Sequence, residues 1–222
     1  MHWYHYVLPT LIQVASKPFW FLGLKFQKGL TIEGIEHVRH AITLAQSQKK
    51  GVLLISNHVS LLDFAYVISG LMYTELVFKP VIFVGDQGKN YTGGNISWQK
   101  YFFTSALFMK SVGAWPAERG TGNYEQALSA HAGVLQRGGT VCIFPYGGIT
   151  NKTTVHGGAG YLAESTSAIV VPLTITIDAG KTRVSYKKHT TFQSEMGAST
   201  STDTPEQRAE GYRQFAKNIL SS

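Results

Sequence analysis

Short apolar runs rich in β-branched residues alternate along the chain with longer stretches in which apolar positions recur every three or four residues. The first pattern reads as buried strand and the second as amphipathic helix. Strands are predicted near Leu30 to Glu33, Val52 to Ser56, Pro80 to Val84, Thr140 to Phe144, Ile169 to Ile177 and Thr182 to Phe192. Helices are predicted near Ile35 to Lys49, Ser60 to Tyr73, Trp98 to Lys110, Tyr124 to Gln136 and Gly158 to Ser165. The alternation predicts an α/β fold, a single domain with a mixed, largely parallel central sheet flanked by helices.

The two ends depart from this rhythm. Gly, Ser and Thr cluster from Ser194 to Thr204, which predicts a loop or linker. Thr204-Pro-Glu-Gln207 then supplies an N-cap, a proline at the first helical position and a capping-box partner, so a helix is expected from about Pro205 to Leu220. The first 28 residues are the most apolar and aromatic part of the chain, but Pro9, Gln13, Lys17 and Pro18 interrupt them. No uninterrupted run reaches the ~18 residues of a spanning helix, and no basic n-region with a small-residue cleavage site marks a signal peptide. Trp3, Tyr4, Tyr6, Trp20 and Phe21 are ring types that sit at headgroup depth, and Lys17, Lys25 and Lys28 suit anionic lipid. An interfacial helical segment is expected, with Trp3, Trp20 and Phe21 as membrane contacts; a helix packed on the domain is the other reading. The expected organisation is residues 1–29 as this segment, 30–192 as the main domain, 193–203 as linker and 204–222 as a C-terminal helix.

With 222 residues the chain is long enough for one well-buried core. Twenty Lys and Arg against 13 Asp and Glu give +7, yet only 15% of residues are charged, where a soluble domain carries about 25%. Global disorder is excluded, and the positive excess fits an anionic partner: nucleic acid, a bilayer surface or a phosphorylated substrate. The single cysteine, Cys142, excludes intramolecular disulfides and a cysteine-based zinc site; its apolar run makes it a buried strand residue. Phosphate-loop and Gly-x-Ser-x-Gly patterns are absent, and the basic residues are dispersed, so nucleotide hydrolysis, serine-esterase chemistry and nucleic-acid binding lose support.

Candidate chemistry concentrates in two loops that follow strands, where α/β folds place their sites. After Val52 to Ser56 comes Asn57-His-Val-Ser-Leu-Leu-Asp63. A histidine on the turn entering a helix can fold back over the first turn and meet a carboxylate there. The carboxylate would fix the tautomer and leave the other ring nitrogen as a base for a hydroxyl. Ser60 is the expected N-cap. After Thr140 to Phe144 comes Pro145-Tyr-Gly-Gly148, which by itself is a turn.

The Asn-His-x-Ser-x-x-Asp block resembles that of the glycerolipid acyltransferases, the lysophosphatidic acid acyltransferases and their relatives. Three further blocks follow in that family's order. Gly113-Ala-Trp-Pro-Ala-Glu-Arg119 resembles the second, Phe144-Pro-Tyr-Gly147 the third, and Ile169-Val-Val-Pro-Leu173 the fourth, so the likeness runs from about Leu30 to Ile177. The third block is altered: Tyr146 and Ile149 stand where the family usually has Glu and Arg, which puts a lysophosphatidic acid acceptor in doubt.

The resemblance implies acyl transfer from an acyl thioester, on coenzyme A or acyl carrier protein, to the hydroxyl of a lysolipid. His58 and Asp63 would be catalytic. Asn57, Ser60, Arg119, Phe144, Pro145, Tyr146, Gly147 and Gly148 would bind substrate, with Arg119 on an acceptor phosphate. Amides at the start of the Ser60 helix would meet the developing oxyanion. No metal or other cofactor is implied, and the expected location is peripheral, at the cytoplasmic face of an anionic membrane. A lipid-binding member without catalysis and an acyl thioesterase are the alternatives.

Overall fold

Val52–Ser56 is buried at all five positions because it lies mid-sheet with helices on both faces. Its side chains alternate, Leu54 entering one hydrophobic core and Leu53 and Ile55 the other. The structure is a computed structural model that describes residues 4–60, 62–85, 109–110, 112–117, 123–147, 154–197 and 204–221. Among these, seven strands form one sheet: β1 Thr31–Glu33, β2 Val52–Ser56, β3 Val81–Gly85, β4 Ala114–Pro116, β5 Thr140–Ile143, β6 Ile169–Asp178 and β7 Lys181–Tyr186, in the order β1-β7-β6-β2-β5-β3-β4. Strands β2 to β6 run parallel, β7 returns antiparallel to β6, and β1 lies parallel to β7. The expected mixed, largely parallel sheet is what forms.

Seven helices accompany it among the described residues: α1 Tyr4–Lys28, α2 Ile35–Ser47, α3 Asp63–Gly70, α4 Tyr124–Gln136, α5 Gly158–Thr166, α6 Phe192–Met196 and α7 Pro205–Ser221. Leu24 of α1, Ala41 of α2 and Tyr66 of α3 join the core on one face; Leu135 of α4, Leu162 of α5 and Phe215 of α7 join that on the other. Single-domain α/β architecture follows from these two apolar layers.

Local differences from the sequence reading have local causes. The helix expected from Ser60 begins at Asp63 and ends at Gly70, followed by a 3₁₀ turn over Leu71–Tyr73. The strand expected through Phe192 stops at Tyr186, because Thr191 forms a capping box with Ser194 and starts α6, so the predicted Ser194 to Thr204 loop opens in helix. Of the helix expected at Trp98 to Lys110, only Met109 and Lys110 are among the described residues, and both are helical.

The largest correction is α1. Pro9 and Pro18 lie inside it and do not break it, and from Val7 to Lys28 the helix is long and apolar enough to cross a membrane by length and composition. An interior proline costs about 3 kcal/mol. Tertiary bonds offset that cost, at about 1 kcal/mol for a neutral hydrogen bond and about 1.5–3 kcal/mol where one partner is charged. Gln13, 2% exposed, donates to the carbonyls of Val81 and Val112 and accepts from the Val81 amide. Lys17, fully buried, donates from Nζ to the carbonyls of Leu76 at 2.7 Å and Lys79 at 2.9 Å. Burial lowers the Lys17 pKa to about 8. Gly113 makes the close approach possible: its φ of 88° favours glycine, and a Cβ there would stand 2.5 Å from Gln13 Nε2.

Candidate active site

The parallel strands direct the turn after β2 to one end of the sheet. Strand β6 runs on past the end of β2, which leaves the Ile175 backbone without a neighbouring strand on that side. Asn57 fills the gap as a substitute peptide group: its Nδ2 donates to the Ile175 carbonyl at 2.8 Å and its Oδ1 accepts from the Ile175 amide at 2.7 Å. The amide of Asn57, a residue expected to bind substrate, pins the turn to the sheet.

The next residue is His58, whose Nδ1 lies 2.6 Å from Oδ2 of Asp63. Asp63, 1% exposed, opens α3, and its carboxylate also accepts from the amides of Val59 at 2.6 Å and Ser60 at 3.1 Å and from the Ser60 hydroxyl at 3.0 Å. A buried carboxylate needs this many donors to remain stable. Ser60 Oγ also accepts from the Leu62 amide. Ser60 therefore closes the turn before the helix rather than capping it. The amides expected to meet an oxyanion are occupied as well: those of Val59, Ser60 and Leu62 serve Asp63 and Ser60.

The turn after β5 meets this one through rings. Phe144 stacks on His58 with centroids 4.7 Å apart and planes 24° apart, and stacks in turn near Phe83. Pro145 is buried, and its carbonyl accepts from the His156 amide. Tyr146 is half-buried against the core beneath α4 and α5, and Gly147, with φ 67°, closes the turn by donating its amide to the Phe144 carbonyl. The structure thus brings Asn57, His58, Ser60, Asp63 and Phe144 together and places Pro145, Tyr146 and Gly147 beside them. Arg119 and Gly148 lie outside the described residues, as do Ile149 and Trp3.

The imidazole of His58 is 21% exposed on its side chain, so the turn is open to a substrate while Asp63 is sealed. With Nδ1 committed to the carboxylate, Nε2 is the nitrogen left to act as a base. Two other potentially reactive groups, His131 and Cys142, are sealed in the core. His131 is wholly buried against Trp115, and burial pushes its pKa down to about 4. The Cys142 thiol is fully buried, and its pKa is raised by burial and then by the Asp63 charge, which removes it as a nucleophile.

Trp20 packs edge-on against Phe64, next to Asp63, and Phe21 packs edge-on against Tyr73, so both expected membrane rings are half-buried on the domain. Phe144 stacks on His58 and Asn57 ties the turn to β6, tertiary contacts that a motif does not reveal. Part of the positive charge also has a local explanation. A cavity of about 370 Å³ at the far, N-terminal ends of β2 and β5 is lined by Lys49, Lys50 and Arg137. These follow the C-termini of α2 and α4, where cations complement the helix dipole.

A family model described as acyltransferase matches residues 29–176, well over half of the chain. The protein belongs to the acyltransferase family, which implies an acyl donor and a lipid acceptor. Comparison with curated proteins finds no match.

Proposed function

We propose that this acyltransferase-family protein moves a fatty acyl group from an acyl thioester, on coenzyme A or acyl carrier protein, to the hydroxyl of a lysophospholipid or related acceptor at a membrane surface. The observation that carries the reading is the 2.6 Å contact between the part-exposed His58 and the buried Asp63 at the C-terminal end of β2. His58 Nε2 takes the hydroxyl proton as the acceptor oxygen attacks the thioester carbonyl. Asp63 holds the tautomer and stabilises the imidazolium that forms. The C–S bond then breaks, and the imidazolium returns the proton to the departing thiolate, so the products are an ester and a free thiol. Phe144 restricts the imidazole ring by stacking on it. Arg119, by the family resemblance, holds an anionic headgroup.

Tyr146 in place of the usual Glu supports an acceptor other than lysophosphatidic acid. The test is thiol release from palmitoyl-coenzyme A with a panel of lysolipids, phosphorylated and not, comparing the intact protein with His58→Ala. Release that requires both an acceptor and His58 is expected. Release without any acceptor would make the protein a thioesterase. Silence with both coenzyme A and acyl carrier protein thioesters would return it to lipid binding.

A further inference from the structure

Helix α1 carries its polarity inverted. Gln13 and Lys17 face the domain and are buried, with Pro9 and Leu24 on the same side. Leu8, Leu11, Phe19, Leu22 and Phe26 are exposed, Phe19 at 80% and Phe26 at 82%. At 3.6 residues per turn these five fall within roughly 80° of arc, about 160° from the buried side, in a stripe about 27 Å long. Ala15 and Pro18 lie in the same stripe and keep it apolar. A water-facing surface of this kind needs a partner.

Two observations identify the partner and its geometry. Lys25 and Lys28 stand in the last turn of the helix, in a chain of net charge +7, and complement anionic headgroups beside an apolar stripe. Lys17, near the middle of the apolar span from Val7 to Lys28, is bonded to backbone carbonyls just before β3. A crossing helix would carry that ammonium and the start of a buried strand to the bilayer centre, where charge and unpaired backbone are disfavoured.

We propose that α1 lies flat in one leaflet of an anionic bilayer, its Leu8, Leu11, Phe19, Leu22 and Phe26 stripe among the acyl chains, and that Gln13 and Lys17 hold it to the domain instead of letting it cross. The proposal rests on the lipid-acceptor reading above and adds its geometry. The bilayer then runs along the α1 face of the sheet, beside the catalytic turn, because Trp20 of α1 packs on the residue that follows Asp63.

Two measurements on the full chain test it. In flotation with phosphatidylglycerol and phosphatidylcholine vesicles, the double variant Phe19→Glu and Phe26→Glu should lose at least about tenfold in bound fraction, while His58→Ala floats as the intact protein does. Both rings are mostly exposed, so the charges leave the core intact, which circular dichroism verifies. Single cysteines at Leu11, Phe19 and Phe26, carrying a fluorophore, should be quenched by lipid-borne quenchers at one common shallow depth; Cys142 is buried and stays unlabelled. Depths graded from one headgroup region to the other would overturn the proposal in favour of a spanning helix. Undiminished flotation of the glutamate variant would overturn it too. So would a lipid-free dimer that the glutamates split, with no flotation, since the stripe would then belong to a second copy. Neither measurement requires turnover: flat docking by a protein that transfers no acyl group would remove the catalytic reading and uphold this one.

Discussion

The His58–Asp63 turn and the inner face of α1 are built from the same parts. Each buries one charge on backbone partners: Asp63 accepts from the amides of Val59 and Ser60, and Lys17 donates to the carbonyls of Leu76 and Lys79. Each also uses a side-chain amide as a substitute peptide group, Asn57 on β6 and Gln13 on β3. They differ in what lies at the surface. The Asp63 cluster ends in a part-exposed imidazole, whereas the Lys17 cluster ends in nothing a solute can reach. Pairing a buried charge is therefore common to a joint and a reactive site, and access to a titratable atom separates them.

Substitutions can break this comparison, and His58→Ala should have the largest effect. Removing the base should lower acceptor-dependent thiol release by about 10²–10⁴-fold with the fold unchanged. Next is Asp63→Asn, which keeps the shape but not the charge: kcat should fall by about 10²-fold or more while KM moves little, because ring orientation and imidazolium stabilisation act in the transition state. A rise in KM of similar size would instead place Asp63 among substrate-binding groups.

Removing a pin should act on stability first. Lys17→Met removes the ammonium that ties α1 to the carbonyls of Leu76 and Lys79 and should cost about 1–3 kcal/mol in urea unfolding. The pH dependence has a definite sign. The folded protein releases the Lys17 proton near pH 8 and the unfolded chain near 10.5, so between these values the unfolded state binds more protons. The stability of the intact protein relative to Lys17→Met should therefore rise from pH 8 to 10.5 and be flat below that window.

Asn57→Ala sharpens the comparison, since its amide belongs to the sheet and acts on catalysis through the position of His58. About a tenfold loss in kcat with KM retained is expected, and a large rise in KM would favour direct substrate contact. The smallest effect should come from Tyr146→Phe, with kcat/KM within about threefold, because the ring packs on the core and keeps its volume.

Legibility in the sequence followed the range of the deciding interaction. The strand Val52–Ser56 and the helix Tyr124–Gln136 were readable to the residue, because apolar runs and caps such as Asn123 are local. The His58 and Asp63 pair was readable for the same reason, its partners being five residues apart. Ser60 was misread as a helix cap because Asp63 competes for its hydroxyl and its amide. The sheet contact of Asn57 was not readable, because its partner, Ile175, is 118 residues away.

The sequence by itself determined the alternating α/β pattern, the resemblance to an acyltransferase and the histidine–carboxylate pair, since periodicity and short-range polar contacts are written in neighbouring residues. Tertiary structure alone decided that α1 continues through two prolines, that its Gln13 and Lys17 face inward, and that Phe144 stacks on His58 while Asn57 ties its turn to β6. In each of these, bonds or packing supplied from distant elements outweigh a local preference, and no local pattern records them.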